Sequence, residues 1–437
     1  MIPRYSRPEM AALWSDANRL RLWTEIEILA CEALAATGVI PAAEVATLRR
    51  QAKQAGVDAA QVAEREKATD HDVAAFVDVL AAAVGPASRW LHFGLTSSDV
   101  LDTALAVQLR DSGRLLLGGV DAFAAVLLRR AQEFRLTPMV GRTHGMHAEP
   151  LTFGLKLLHW YAEMRRHRLR LGRAVDAVAV GKLSGAVGTF AALGPEVEAR
   201  VCRALELGCE PLATQVVPRD RHAEFVAALA LLGSGLERIA TELRHLQRSE
   251  VGEVEEAFAA TQKGSSSMPH KRNPIRSERL VGLARVLRSQ VTPALENVAL
   301  WHERDISHSA VERIILPDAC LAADYMLALA TQLVDGLVVR PERMRRNLES
   351  SRGLVFSQAL LLALVGAGLL RDRAYRLVQE ASRAAREGER SLRDVALETE
   401  GIEAVLGRAQ VEKVFDLDHQ LRHVDQLFAR VLEADGA

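Results

Sequence analysis

Four segments of the chain gather histidines, hydroxyls and strong cations at points where helical periodicity lapses. They are His92-Phe-Gly-Leu-Thr-Ser-Ser-Asp99, Gly141-Arg-Thr-His-Gly-Met-His-Ala-Glu-Pro150, Gly264-Ser-Ser-Ser-Met-Pro-His-Lys-Arg-Asn-Pro274, and Trp301 through Arg313. The third is the most informative. Gly264 and three serines free the backbone, while Pro269 and Pro274 bracket a turn carrying His270, Lys271 and Arg272, a pattern that reads as a lid over an anion. In the fourth, Arg304, Ser309 and Arg313 offer two guanidinium forks and a hydroxyl suited to a phosphate. His144, between Thr143 and Gly145, sits in a polar turn where burial among apolar neighbours is unnatural. Each pattern has a blander alternative: serine runs cap helices, Lys271-Arg272 can simply face water, and the Arg304 group can be a surface ion-pair network. His144 and His147 could also begin a metal site, with His71, His302 or His308 completing it. No HExxH or cysteine set accompanies them, however, and Arg142 alongside opposes a cation, so no metal is expected.

These loops need a frame. The chain has 437 residues, enough for about three domains. Its 55 Lys+Arg against 56 Asp+Glu leave a net charge of −1, so there is no bulk field to hold nucleic acid or an anionic membrane, and any anion must be gripped locally. Cys31, Cys202, Cys209 and Cys320 are widely spaced and show no CxxC pattern, which argues against a disulfide framework or cysteine zinc site and fits a reducing cytoplasm. The start lacks a secretory apolar stretch, and the longest apolar run, Ala359 to Leu370, is short of a membrane span.

Apolar residues recur at helical spacing almost throughout, and strand-like alternation is nearly absent, so the fold class is all-α. Leu13, Ala17, Leu20, Trp23, Ile26, Ala30 and Leu34 mark one long helix. Phe225, Leu229, Leu232, Leu236, Ile239, Leu243 and Leu246 form a heptad seam that asks for partner helices. Phe153, Leu157, Trp160, Met164 and Leu171 repeat the pattern, as do Leu280, Ala284, Leu287, Val291 and Val298. Breakers cluster near Arg110–Gly113, Thr137–Pro150, Gly181–Gly194, Lys263–Pro274 and Ser350–Gly353. Boundaries at the first and last give an N-terminal helical domain 1–111, a central long-helix bundle 112–352 and a C-terminal helical domain 353–437.

The segment Gly264 to Pro274 resembles the shared loop G-S-S-x-M-P-x-K-x-N-P of the fumarase/aspartase superfamily. Within it the chain is most similar to the adenylosuccinate lyase family, through Arg4-Tyr5-Ser6, Thr69-Asp-His-Asp72, Leu95-Thr-Ser-Ser-Asp99, Gly141-Arg-Thr-His144 with His147-Ala-Glu-Pro150, His270 and Arg272, and Trp301 through His308. The likeness runs across nearly the whole chain. It implies β-elimination of fumarate from adenylosuccinate, giving AMP, and from the analogous succinyl-aminoimidazole carboxamide ribotide, without metal or organic cofactor. It also implies three helical domains whose central bundles merge into a homotetramer, each active site being built from loops of three chains.

Carried over residue by residue, the resemblance makes Ser265 the general base and His144 the general acid, with Glu278 orienting the acid and Lys271 a candidate to favour ionisation of Ser265. His71 assists, and His92 is a site histidine without a proton-transfer role. Lys271, Asn273, Thr96 and Ser97 grip the succinyl carboxylates. Arg4, Tyr5, Asp72, Gln215, Arg304, Ser309 and Arg313 line the nucleotide side. Asp70 departs from the family pattern, which carries Arg or Asn there, and an acid beside a phosphate would repel it unless turned away. Two rivals stand against this reading: another elimination enzyme of the superfamily, such as argininosuccinate lyase or fumarase, and a catalytically silent helical scaffold of the lens type.

Overall fold

The computed structural model describes residues 1–258, 261 and 267–435. Helices dominate, as the apolar periodicity requires. Five N-terminal helices, Pro8–Leu13, Asp16–Ala36, Ala42–Ala55, Ala59–Thr69 and Asp72–Val84, lead into the long Ser97–Glu133 helix. Phe153–Val178, Asp220–Gln247, Ile275–Ser289 and Ser307–Asp335 are the other long rods, and seven helices between Pro341 and Asp435 close the described chain. Strands among the described residues are confined to three two-stranded pairings.

By backbone proximity the chain forms two compact units. The first comprises Met1–Asp121, Arg166–Glu237 and Leu280–Leu329; the second comprises Ala122–Arg165, Arg238–Arg279 and Ala330–Ala437. The core of the first gathers Trp23, Phe76 and Leu80 with Leu183 and Val201. Trp23 meets Phe76 edge to face at 5.4 Å, and truncating such a side chain to Ala costs about 3–5 kcal/mol. A separate core in the second unit joins Leu360, Ala374, Val378, Ile402 and Val411 from the C-terminal helices.

The structure corrects several expectations. The first long helix begins at Asp16, because the Ser15 side chain accepts the Asn18 backbone N–H at 3.2 Å and caps it. No break occurs at Arg110–Gly113. The Ser97–Glu133 helix runs straight through, and Gly113 lets it approach the Phe153–Val178 helix: a Cβ there would stand 2.3 Å from Val175. The Leu280 seam stops at Ser289, with Val291 in a separate short helix and Val298 exposed. All seven residues of the Phe225–Leu246 seam are buried within their own chain, so that stripe asks for no other subunit. Finally, two helical stretches, Asp72–Trp90 and Ser307–Asp335, are long and apolar enough to cross a membrane by length and composition. In the second, 67% of the apolar window is packed inside the chain.

Candidate active site

In the first unit, local capping chemistry positions most of the candidate residues. The Ala59–Thr69 helix ends at Asp70, whose φ of +49° is a left-handed stop that a short acidic side chain tolerates. The side chain is exposed, so the departure from the family pattern serves a helix end. His71 then caps the next helix: its Nδ1 accepts the Ala74 N–H at 3.3 Å, and its Nε2 lies 3.3 Å from the Ser97 hydroxyl. An Nδ1 that accepts leaves the proton of the neutral ring on Nε2, aimed at Ser97. Asp72 pairs with Arg313, which also donates to the Ser309 hydroxyl at 3.4 Å. Burial pushes the Asp72 carboxyl up, but the Arg313 guanidinium outweighs it and holds the pKa below its ordinary value.

Ser97 opens a helix of 37 residues, and Asp99 folds back to accept the Thr96 N–H at 2.9 Å. The turn therefore presents free backbone donors and the positive end of a long dipole, an arrangement suited to a carboxylate. Lys182, fully buried, binds the other face of this turn. Its ammonium donates to Asp99 Oδ1 at 2.6 Å, Gly185 O at 3.0 Å and Gln215 O at 2.7 Å, which satisfies all three protons. Gln215 in turn accepts from Arg304 Nη1 at 3.2 Å. Behind them Arg219 is held bidentately by Asp102 (2.6 and 2.9 Å) and Glu312 (3.0 and 3.1 Å). Burial first, and Arg219 second, push His308 down to about 4 and His222 to about 3, so both are neutral at physiological pH. A cavity of about 230 Å³ opens here, lined by Ser98, Asp102, Arg219, Arg304, Ser309 and Arg313. Arg4 and Tyr5 lie in a 3-10 turn of the same unit. That turn is docked by the Tyr5–Tyr325 ring contact (5.4 Å) and by Arg7 on Asp324 (2.7 Å).

In the second unit, strands Pro138–Thr143 and Met146–Thr152 form a hairpin with His144 and Gly145 at its tip. Their φ values of +55° and +79° match a type I′ turn, whose first position seldom carries histidine; a non-glycine residue held left-handed at a tip is a signature of function. Gly141 permits the bulge between Val140 and Arg142, since a Cβ would come within 2.7 Å of the Glu149 carbonyl. Arg142 anchors the hairpin by a bidentate pair with buried Glu253 (2.7 and 3.0 Å), and its positive charge still reaches His147. Among the described residues no group of three His, Cys, Asp or Glu is placed to hold a metal ion. Burial, then Arg142, lower the pKa of His147.

Ser265 lies outside the described residues. Past it, two carboxylates anchor the chain. Arg272 donates to Glu255 at 2.6 Å and stacks over Phe258, while Glu256 accepts the Arg276 and Ser277 N–H groups at the start of the next helix. Arg272 thus fixes the loop base through the Glu255 carboxylate. The side chains of Lys271 and Glu278 are exposed, and no hydrogen bond or ion pair joins Glu278 to His144 within the described residues; the orienting role expected for Glu278 is not seen in the single chain. The structure therefore links His71, Asp72, Thr96, Ser97, Gln215, Arg304, Ser309 and Arg313 in the first unit, and carries His144, Lys271, Asn273 and Glu278 in the second.

Comparison with known proteins now bears on this arrangement. A lyase family model matches residues 4–288, and an adenylosuccinate lyase C-terminus model matches 353–431. The chain is 48% identical over 431 residues to an adenylosuccinate lyase of Bacillus subtilis, covering 99% of each protein. It is 47% identical over 430 residues to one of Thermotoga maritima, covering 98% of this chain and 99% of that protein. The chain belongs to the adenylosuccinate lyase family. Solved structures agree on the fold. A fumarate lyase from Mesorhizobium sp. BNC1 superposes with a TM-score of 0.91 at 29% identity, over 99% of both chains. A 3-carboxy-cis,cis-muconate lactonizing enzyme from Pseudomonas putida superposes at 0.89 and 30%, over 99% and 98%. Sequence reasoning about this family member missed Glu27, Lys182, Asp102, Arg219 and Glu312. Lys182 is a lone charge in an otherwise apolar stretch, whereas Arg219, in Pro218-Arg-Asp-Arg-His222, has no such mark.

Proposed function

We propose that the chain is a carbon–nitrogen lyase that splits adenylosuccinate into AMP and fumarate, and likewise removes fumarate from succinyl-aminoimidazole carboxamide ribotide. The observation that carries this reading is the near-complete, 48% identical match to a curated adenylosuccinate lyase. A base takes the proton from the carbon beside one succinyl carboxylate. The electron pair left behind forms the fumarate double bond as the C–N bond breaks, and an acid returns a proton to the departing nitrogen. Ser265 is the base and His144 the acid. An imidazole at an exposed hairpin tip can reach a substrate and is the side chain best matched to proton transfer near neutral pH. The carboxylate gains negative charge as the proton leaves, and the Thr96–Ser97 helix terminus, with Lys271 and Asn273, stabilises it. Arg304, Ser309 and Arg313 hold the phosphate.

The enzyme works in the cytoplasm as a homotetramer whose chains share active sites. Support comes from large apolar side chains left exposed on five long helices of the first unit, Leu115, Leu169, Leu231, Val286 and Ile314, a pattern that calls for a covering surface. Light scattering should give about four times the 47.8 kDa chain mass; a fully active monomer sinks the shared site. For the reaction, purified protein with adenylosuccinate should release fumarate and change the ultraviolet spectrum of the purine, while argininosuccinate stays inert. Turnover of argininosuccinate, or of neither compound, overturns the assignment.

A further inference from the structure

The Asp16–Ala36 helix buries one carboxylate completely. Glu27 is 0% exposed among Trp23, Ile26, Ile28, Ala30 and Cys31, where an unpaired charge would be prohibitive. Both of its oxygens go to one residue. Oε2 accepts the backbone N–H of His92 at 2.6 Å, and Oε1 lies 2.7 Å from His92 Nδ1. His92 itself has φ of +57°, a conformation costly for a histidine, and Glu27 holds the turn in it. A carboxylate only accepts, so Nδ1 carries a proton and points inward, leaving Nε2 as the other nitrogen of a side chain that is one-quarter exposed.

The charge of His92 follows from what surrounds it. Burial pulls the imidazole pKa down; the hydrogen bond and charge of Glu27, with Asp99 behind them, overcome this and hold it above the ordinary 6.5. The helix bearing Glu27 also brings Cys31, occupied by the Trp90 carbonyl at 3.2 Å. The Ser97–Glu133 helix brings Asp99, paired with Lys182, and Glu44 of the Ala42–Ala55 helix is engaged by Arg89 and Trp90. Glu27 is therefore the dominant charge on the ring. Three residues further on, the same turn delivers Leu95 and then Thr96 and Ser97, the carboxylate-facing helix start; the Leu95 N–H donates to the His92 carbonyl at 3.3 Å.

Resting on the function proposed above, we propose that Glu27 is a positioning residue for His92: it locks the ring with Nδ1 inward and favours its charged form, so that Nε2 meets an anionic group of the bound nucleotide, either a succinyl carboxylate or the phosphate. Glu27→Gln keeps an acceptor for the His92 backbone N–H while removing the charge. The alkaline limb of its kcat/KM profile with adenylosuccinate should move down by about one pH unit or more. KM near pH 8 should rise about tenfold, returning to within about twofold of the parent near pH 6, with kcat at saturation retained. A purely structural role would raise KM alike at every pH, and that result, or superimposable profiles, overturns the proposal.

Binding of AMP and of fumarate, measured calorimetrically at both pH values, identifies the group held. Weakened AMP binding in the variant marks the phosphate, and weakened fumarate binding marks the carboxylate. Those titrations read the dyad without turnover, so an inactive parent strikes the function while the Glu27 assignment is still decided. If Glu27→Gln does not fold, His92→Gln should abolish the pH dependence of AMP or fumarate binding between about pH 6 and 8, and its survival overturns the proposal.

Discussion

The two compact units treat their candidate residues in opposite ways. In the first, the charged groups around the cavity have partners, Asp72 in Arg313, Arg304 Nη1 in Gln215, Asp99 in Lys182, and Arg219 in Asp102 and Glu312, while Arg304 Nε is buried without one among the described residues. In the second, the side chains of His144, Lys271 and Glu278 are exposed and make no hydrogen bond or ion pair with another described residue, while the residues beneath them, Arg142 with Glu253 and Arg272 with Glu255, are firmly tied. The contrast separates two tasks. A binding wall gains from being rigid before substrate arrives, because preorganised donors need no reordering. Proton-transfer groups need access to a substrate atom, and the second unit meets that need by holding the base of each loop and leaving its working side chain open.

The sharpest way to break this contrast is to remove the open side chains. His144→Gln and Ser265→Ala should each lower kcat by about 10²–10⁴-fold while KM for adenylosuccinate stays within a few-fold, since neither belongs to the binding wall. Steady-state kinetics on the two variants decides it; a rise in KM with kcat intact would move either residue into the wall. A lesser effect, on stability, is expected at the closed side. Lys182→Met leaves Asp99 charged and buried, a change that costs about 3–5 kcal/mol, whereas adding Asp99→Leu should recover much of the loss. Denaturant midpoints for the single and double variants test this. Equal midpoints would mean that the pair contributes little to holding the wall together.

How far the sequence revealed these two regions depends on what each residue does. The long helices were legible because each buries a stripe: all seven seam residues from Phe225 to Leu246 are inside. Boundaries were less so, because Gly113 looks like a breaker and acts as a contact point against Val175, which a one-dimensional pattern does not display. Exposed chemistry in loops, such as His144 and Arg304, stood out by type and spacing. Buried polar residues did not: Glu27 and Lys182 each sit in apolar surroundings, and their partners, His92 and Gln215, are 65 and 33 residues away. Arg272 shows the converse, a residue whose motif suggested an anion and whose partner is Glu255.

The smallest effect sharpens the comparison from within the wall, through the pH dependence that Asp72 imposes. Its folded-state pKa lies below the ordinary 3.8, because Arg313 outweighs the opposing effect of burial. A depressed carboxyl pKa contributes stability that is fully present above the unfolded value and disappears as pH falls through the folded one. The parent should therefore lose this contribution below about pH 4. In Arg313→Leu only the Val73 N–H and His71 oppose burial, so the depression of the Asp72 carboxyl shrinks and less stability is lost as pH falls through that same region. Thermal midpoints of the parent and the variant across the acid range, with Asp72→Asn as the blank that removes the titration, should give a clearly shallower curve for the variant once the blank is subtracted. Parallel curves would mean that Arg313 is free to turn toward substrate, and that this corner of the first unit resembles the open side chains of the second.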